Sequence, residues 1–157
     1  MGFSSGGFIT LYMATLEPNR LKKIIPIGAQ VQYSDITRNL IRSLGDPFNF
    51  VMEREDLSRK HGKVKGEQIA RQFYHFKDLY GDPLFSPELL STIKAKTLIV
   101  HGDDDPIAPV DNAWVLYKNI PGAHLWIIPY AEHGGMFSGE NEKEVIRRTM
   151  EFLSKKQ

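Results

Sequence analysis

The stretch Thr97-Leu98-Ile99-Val100-His101-Gly102-Asp103-Asp104-Asp105-Pro106 decides how this 157-residue chain folds. Four β-forming residues run without interruption and stop at a histidine, a glycine and a carboxylate-rich turn. That is the pattern of a short strand buried on both faces. Downstream, Val110–Asn119 repeats apolar residues at helical spacing through Ala113, Leu116 and Tyr117, and Pro121-Gly122 ends it. Leu125–Ile128 then reads as another strand. Asn141–Leu153 closes the pattern as an amphipathic helix with Val145, Ile146, Met150 and Leu153 on one face.

Upstream, Leu21–Ile27 reads as a buried strand closed by Gly28, although Pro26 within it cannot donate to a ladder. Before it, Gly2, Gly6 and Gly7 lead into a helix that carries Phe8, Ile9, Tyr12, Met13 and Leu16 and is stopped by Pro18. Strand and helix alternate, which predicts an α/β fold with a parallel sheet and right-handed crossovers. Residues 1–30 and 94–157 are expected to form this core. The intervening 31–93 has another character, with helical stretches Asp35–Leu44, Phe48–Lys60, Gly66–Leu79 and Pro87–Ile93. Gly45-Asp46-Pro47, Gly62 and Gly81-Asp82-Pro83 separate them. Its aromatics, Phe48, Phe50, Phe73, Tyr74, Phe76 and Tyr80, suit either packing on a core or a helical lid lining an apolar pocket.

Composition narrows the function classes. Twenty basic and 19 acidic residues leave a net charge of +1, so nothing draws the chain to nucleic acid or to an anionic membrane; a small-molecule substrate is the better expectation. The absence of cysteine removes disulfides, thiolate metal sites and cysteine nucleophiles, and fits a cytoplasmic location. The apolar run Phe8–Ala14 lacks a basic leader, and no run approaches the ~20 apolar residues of a membrane span.

Gly2-Phe3-Ser4-Ser5-Gly6 places a serine between two glycines at the head of a helix. Small flanking residues allow a sharp turn that presents the Ser4 hydroxyl, and the amide of Ser5 is then available to stabilise a developing oxyanion. Taking Ser5 as the nucleophile would put Phe3 where the first glycine belongs. A serine hydroxyl needs a base, and the base needs an orienting carboxylate. One of Asp103, Asp104 and Asp105 follows one strand, and Glu132-His133 follows the next, both in the loops where parallel sheets place their sites. His61, His75, His101 and His124 have packing or structural readings. A metal site built on His101 lacks a second histidine at ligand spacing, and the aspartates lack the glycine and glutamate of a calcium loop.

Together, Gly-Phe-Ser-Ser-Gly-Gly, Thr-Leu-Ile-Val-His-Gly-Asp-Asp-Asp-Pro-Ile-Ala-Pro and Pro-Tyr-Ala-Glu-His-Gly resemble the α/β-hydrolase superfamily, most of all its lidded esterase, lipase-like and carbon–carbon-bond hydrolase branch. The resemblance covers nearly the whole chain and is weakest over 31–93. It implies the carboxyl-terminal portion of an α/β-hydrolase fold: about three parallel strands, flanking helices and a helical lid. It also implies Ser4 as nucleophile, Asp105 as the acid, His133 as the base and Ser5 as an oxyanion donor. Asp103 and Asp104 are then turn carboxylates. The implied reaction is hydrolysis of a small apolar ester or related carbonyl through an acyl-serine, with no cofactor and no metal.

The same resemblance implies strands and a second oxyanion loop ahead of the elbow that this chain does not contain. An isolated chain is therefore expected to have little esterase activity and to self-associate through an unpaired sheet edge. A catalytically impaired fragment or binding module is one alternative reading. A cofactor-free haloperoxidase or carbon–carbon-bond hydrolase is another.

Overall fold

The computed structural model describes residues 1–45, 54–75 and 84–155. They form two compact units, Met1–Gln32 with Pro83–Gln157, and Tyr33–Asp82. The first unit contains β1 (Gly2–Phe3), α1 (Ser5–Leu16), β2 (Lys23–Ile24) and β3 (Pro26–Ile27). The second contains α2 (Asp35–Gly45), α3 (Arg54–His61) and α4 (Lys63–Tyr74). The chain then returns to the first with α5 (Pro87–Ser91), β4 (Lys96–Gly102), α6 (Asp111–Asn119), β5 (His124–Ile128), a 3-10 turn (Gly135–Phe137) and α7 (Gly139–Ser154).

Every strand pairing in the first unit is parallel, with β4 central. β2 and β3 are two halves of one strand. Lys23 pairs with Lys96, Ile24 with Thr97 and Ile27 with Val100, an unchanged register across the gap. The interruption falls at Ile25-Pro26, where proline has no N–H to give. On the far side of that strand lies β1, with Gly2 opposite Pro26 and Phe3 opposite Ile27. β5 covers the other flank of β4, from Leu98 opposite His124 to Gly102 opposite Ile128.

Side chains alternate across this sheet. One face gathers Ile25, Ile27, Leu98, Val100 and Ile128 against Met136 and Val145, with Trp126 and Phe152 at its margin. α7 packs here through Val145, Thr149 and Phe152. Its other apolar residues Ile146, Met150 and Leu153, expected on the same face as Val145, are exposed instead. Lys23 ties the end of α7 to the sheet, its Nζ donating to the carbonyls of Phe152, Leu153 and Lys155 at 3.0, 2.8 and 2.6 Å. Ile24, Thr97, Ile99 and His101 point to the opposite face and are all buried. α1 meets the sheet through Gly7, Phe8, Leu11 and Ala14, leaving Ile9, Tyr12, Met13 and Leu16 exposed. A Cβ on Gly7 would lie 2.8 Å from the Ala29 side chain, so this glycine lets α1 approach the end of β3.

In the second unit Ser34 caps α2, its Oγ accepting from the Thr37 amide at 3.2 Å. α3 and α4 join at Gly62, where φ is +80°. They cross closely because Gly66 has no side chain; a Cβ there would meet the Ser58 backbone nitrogen at 2.9 Å. The Arg42 guanidinium lies 5.2 Å from the centre of the Tyr74 ring. The aromatic expectation for Phe48, Phe50, Phe76, Tyr80 and the Phe73 side chain lies outside the described residues. Among the described residues, no helix is long and apolar enough to cross a membrane.

Candidate active site

The sheet brings three segments to one end. The Ser4 amide donates to the Ile27 carbonyl at 2.9 Å, and the Gly28 amide donates to the Val100 carbonyl at 2.9 Å. The carboxyl ends of β1, β3 and β4 are thereby stepped together, and β5 ends level with Gly102. Ser4, Gly28, the Asp105 loop and the His133 loop leave from this edge.

Ser4 sits between β1 and α1 with φ +53° and ψ −118°. A non-glycine residue at positive φ is strained by roughly 1–3 kcal/mol, which the pairing of β1 and the first turn of α1 must hold in place. Gly2 makes the turn sterically feasible, since a Cβ there would fall 2.0 Å from the Gly6 carbonyl oxygen. Gly6 itself faces open space, so the demand for a small residue lies on the first glycine. Ser5 opens α1, and helix geometry leaves its N–H without an intrahelical acceptor.

Of the three aspartates only Asp105 is buried; Asp103 and Asp104 are exposed. Its Oδ1 accepts from the amides of Ile107 at 2.9 Å and Ala108 at 2.8 Å, which turns Oδ2 toward His133. Nδ1 of His133 lies 2.6 Å from that oxygen. Burial pushes the Asp105 carboxyl up, but the hydrogen bonds from His133 and from the Ala108 and Ile107 amides together outweigh it and hold the group below the ordinary range. An ionised carboxylate only accepts, so Nδ1 is the donor in this contact. The His133 side chain is 12% exposed.

The histidine loop depends on two backbone features. Tyr130 adopts φ +57°. Gly102 lies so near the Ala131 carbonyl oxygen that a Cβ would sit 2.0 Å from it. His101, given a structural reading in the sequence, is fully buried beneath the acid loop. Its Nε2 donates to the Ala108 carbonyl at 2.7 Å and lies 3.7 Å from Asp105 Oδ2, and its Nδ1 has no hydrogen-bond partner among the described residues. Burial lowers its pKa, against opposing contributions from the Ala108 carbonyl and the Asp105 charge. Of the other histidines, His124 opens β5 with an exposed side chain, and His61 and His75 belong to the second unit. A cavity of about 400 Å³ lined by Lys23, Lys96, Trp126, Arg148, Glu151 and Phe152 lies at the opposite, amino-terminal ends of the strands and shares no residue with this cluster.

The parallel sheet, the serine elbow at positive φ and the acid and histidine loops at the strand ends define an α/β-hydrolase fold. Comparison with known proteins agrees. The chain superimposes with a TM-score of 0.74 on an α/β hydrolase enzyme from a Medee basin deep-sea metagenome library, at 17% identity, covering 99% of this chain and 64% of that one. Human serine hydrolase BPHL is 27% identical over 141 residues, 85% of this chain and 47% of its own length. The 2-hydroxy-6-oxo-6-(2'-aminophenyl)hexa-2,4-dienoic acid hydrolase of Metapseudomonas resinovorans is 32% identical over 76 residues, 48% of this chain and 26% of its own. The chain thus spans about half the length of the first of these curated relatives or less. No protein-family model matches it.

Proposed function

We propose that this chain carries the acyl-transfer machinery of a serine hydrolase acting on a small apolar ester or related carbonyl compound. The observation that supports it most is the 2.6 Å pairing of His133 with buried Asp105 at the strand end where Ser4 is held at positive φ. In this reading Nε2 of His133 takes the Ser4 proton as Oγ bonds to the substrate carbonyl carbon, while Asp105 balances the imidazolium. The Ser5 N–H donates to the resulting oxyanion. Collapse breaks the bond to the leaving group, which receives the proton from Nε2, and leaves an acyl-serine. Water, deprotonated by the same nitrogen, then releases the acid and restores Ser4.

A second reading concerns the bond that is broken. The Metapseudomonas relative is named as a hydrolase of a 2-hydroxy-6-oxohexadienoic acid, which favours a vinylogous ketone as substrate and cleavage of a carbon–carbon bond by the same residues. The two readings separate by mass spectrometry and product analysis. A short p-nitrophenyl ester should leave one acyl group on Ser4 of the folded chain, and none in Ser4→Ala. A dienoate ketone consumed without any ester acylation would favour the second reading.

A further inference from the structure

A single hydrogen bond does not fix an imidazole. With only Nδ1 held by Asp105, the His133 ring remains free to tilt about that contact or to turn about Cβ–Cγ, which would exchange the positions of its nitrogens and carbons. Two neighbours bear on that freedom. The Phe3 ring lies against His133 with centroids 4.8 Å apart and planes inclined by 36°. At the Cε1 edge stands Gly28, where a Cβ would come within 3.2 Å of His133 Cε1 and 3.3 Å of Phe3 Cε2. Gly28 also has φ +54°, so both its conformation and its missing side chain suit this position.

Phe3 is itself held. It pairs with Ile27 in the sheet, and Phe137 meets its ring edge-on at 4.8 Å and 77°. Phe3 is also the residue covalently joined to Ser4. From these contacts we infer that Phe3 and Gly28 are positioning residues for His133: the Phe3 ring sets the plane of the imidazole, and Gly28 gives its Cε1 edge room. The base is thereby referenced to the same two-residue strand that delivers the nucleophile. This inference rests on the proposed role of Ser4, His133 and Asp105.

The test uses the whole 157-residue chain with ¹⁵N-labelled histidine. Long-range proton–nitrogen correlation at mildly alkaline pH reports which ring nitrogen of each neutral histidine carries the proton. In the unmodified chain His133 should be protonated at Nδ1. His101, which donates from Nε2, serves as an internal control for the fold. Phe3→Ala should leave the His101 signature in place while His133 loses its Nδ1 proton line and populates the other tautomer. Fluorophosphonate labelling of Ser4 should slow by about 10²-fold, as for a catalytic group misplaced by about an ångström. Phe3→Trp, with a flat ring, should restore both readouts. Phe3→Leu, apolar but without a flat face, should restore neither, and it replaces Phe3→Ala if the alanine variant fails to fold.

A His133 tautomer and labelling rate unchanged in both Phe3→Ala and Phe3→Leu would overturn the inference. Protonation of His133 at Nε2 in the unmodified chain would instead overturn the underlying triad assignment. A tautomer that follows Phe3 as expected, with no labelling in any variant, would uphold the positioning role and reject Ser4 as nucleophile.

Discussion

Gly102 and Ala131 approach so closely that the hydrogen on the Gly102 α-carbon occupies the only space available beside the Ala131 carbonyl; a Cβ in its place would lie 2.0 Å from that oxygen. Gly102 is the last residue of β4, from which the Asp105 loop leaves, and Ala131 lies in the loop that carries His133. Their approach brings those loops within hydrogen-bond range. Gly102→Ala should therefore push the loops apart. We expect a loss of about 1–3 kcal/mol in denaturant unfolding, as for other overpacked sites, together with loss of Ser4 labelling. Unchanged stability and labelling would show that the loops can adjust independently.

His101 couples the acid loop to pH. Burial lowers its pKa relative to the ordinary 6.5, so in the folded chain it binds fewer protons than in the unfolded chain. Stability therefore rises with pH between the folded and unfolded values, is complete above about 6.5, and is lost as pH falls below that point. Asp105 acts in a lower window, its contribution lost as the pH falls through a folded value below 3.8. His101→Phe should cost about 1–3 kcal/mol at neutral pH by leaving the Ala108 carbonyl unpaired, and should flatten the loss that sets in below about pH 6.5. Urea unfolding across that range measures both. A slope unaltered in the variant would assign the acid sensitivity to another group.

Tyr130 is 88% exposed and adopts φ +57°. Its side chain therefore contributes little burial while its backbone is strained. Tyr130→Asn, whose side chain tolerates the left-handed region, should stabilise the chain by about 0.5–1 kcal/mol. Calorimetry or urea unfolding reads this directly, and a destabilised variant would assign the Tyr130 ring a packing role.

The exposed stripe Ile146, Met150 and Leu153 on α7, with Ile9, Tyr12, Met13 and Leu16 on α1, predicts concentration-dependent self-association of the chain. Lysine at Ile146 and Met150 should reduce the associated fraction in sedimentation velocity while changing the unfolding free energy by no more than about 0.5 kcal/mol. A chain that stays monomeric at high concentration would contradict it. Among the described residues, Lys23 and Ile24 pair with β4 alone, so an open sheet edge is a second route to the same behaviour.

These stripes also mark the limit of what the sequence reveals. Helical periodicity groups Ile9 with Phe8 and Met150 with Val145 but does not say whether their face is covered, and Ile9 and Met150 prove to be surface. Strand Thr97–Val100 was legible because four β-formers end at a glycine. β1 was not, since two residues carry no period and their pairing is with residues 24 positions away. The split at Ile25-Pro26 followed from the missing proline N–H. Ser4 and His133 stand out as candidates from local pattern, and Asp105 only through the family resemblance. The physical distinction of Asp105 from Asp103 and Asp104 is its pair of amide donors, Ile107 and Ala108. Phe3 against His133 joins residues 130 positions apart, and no local signal announces it.

The most direct test of the central claim is fluorophosphonate labelling of the folded 157-residue chain, with the adduct mapped by peptide mass spectrometry. A single adduct on Ser4, absent in Ser4→Ala and slowed by about 10²-fold or more in His133→Ala and Asp105→Asn, is the predicted result. A folded chain that is labelled elsewhere, or labelled at Ser4 at the same rate without His133, would contradict it.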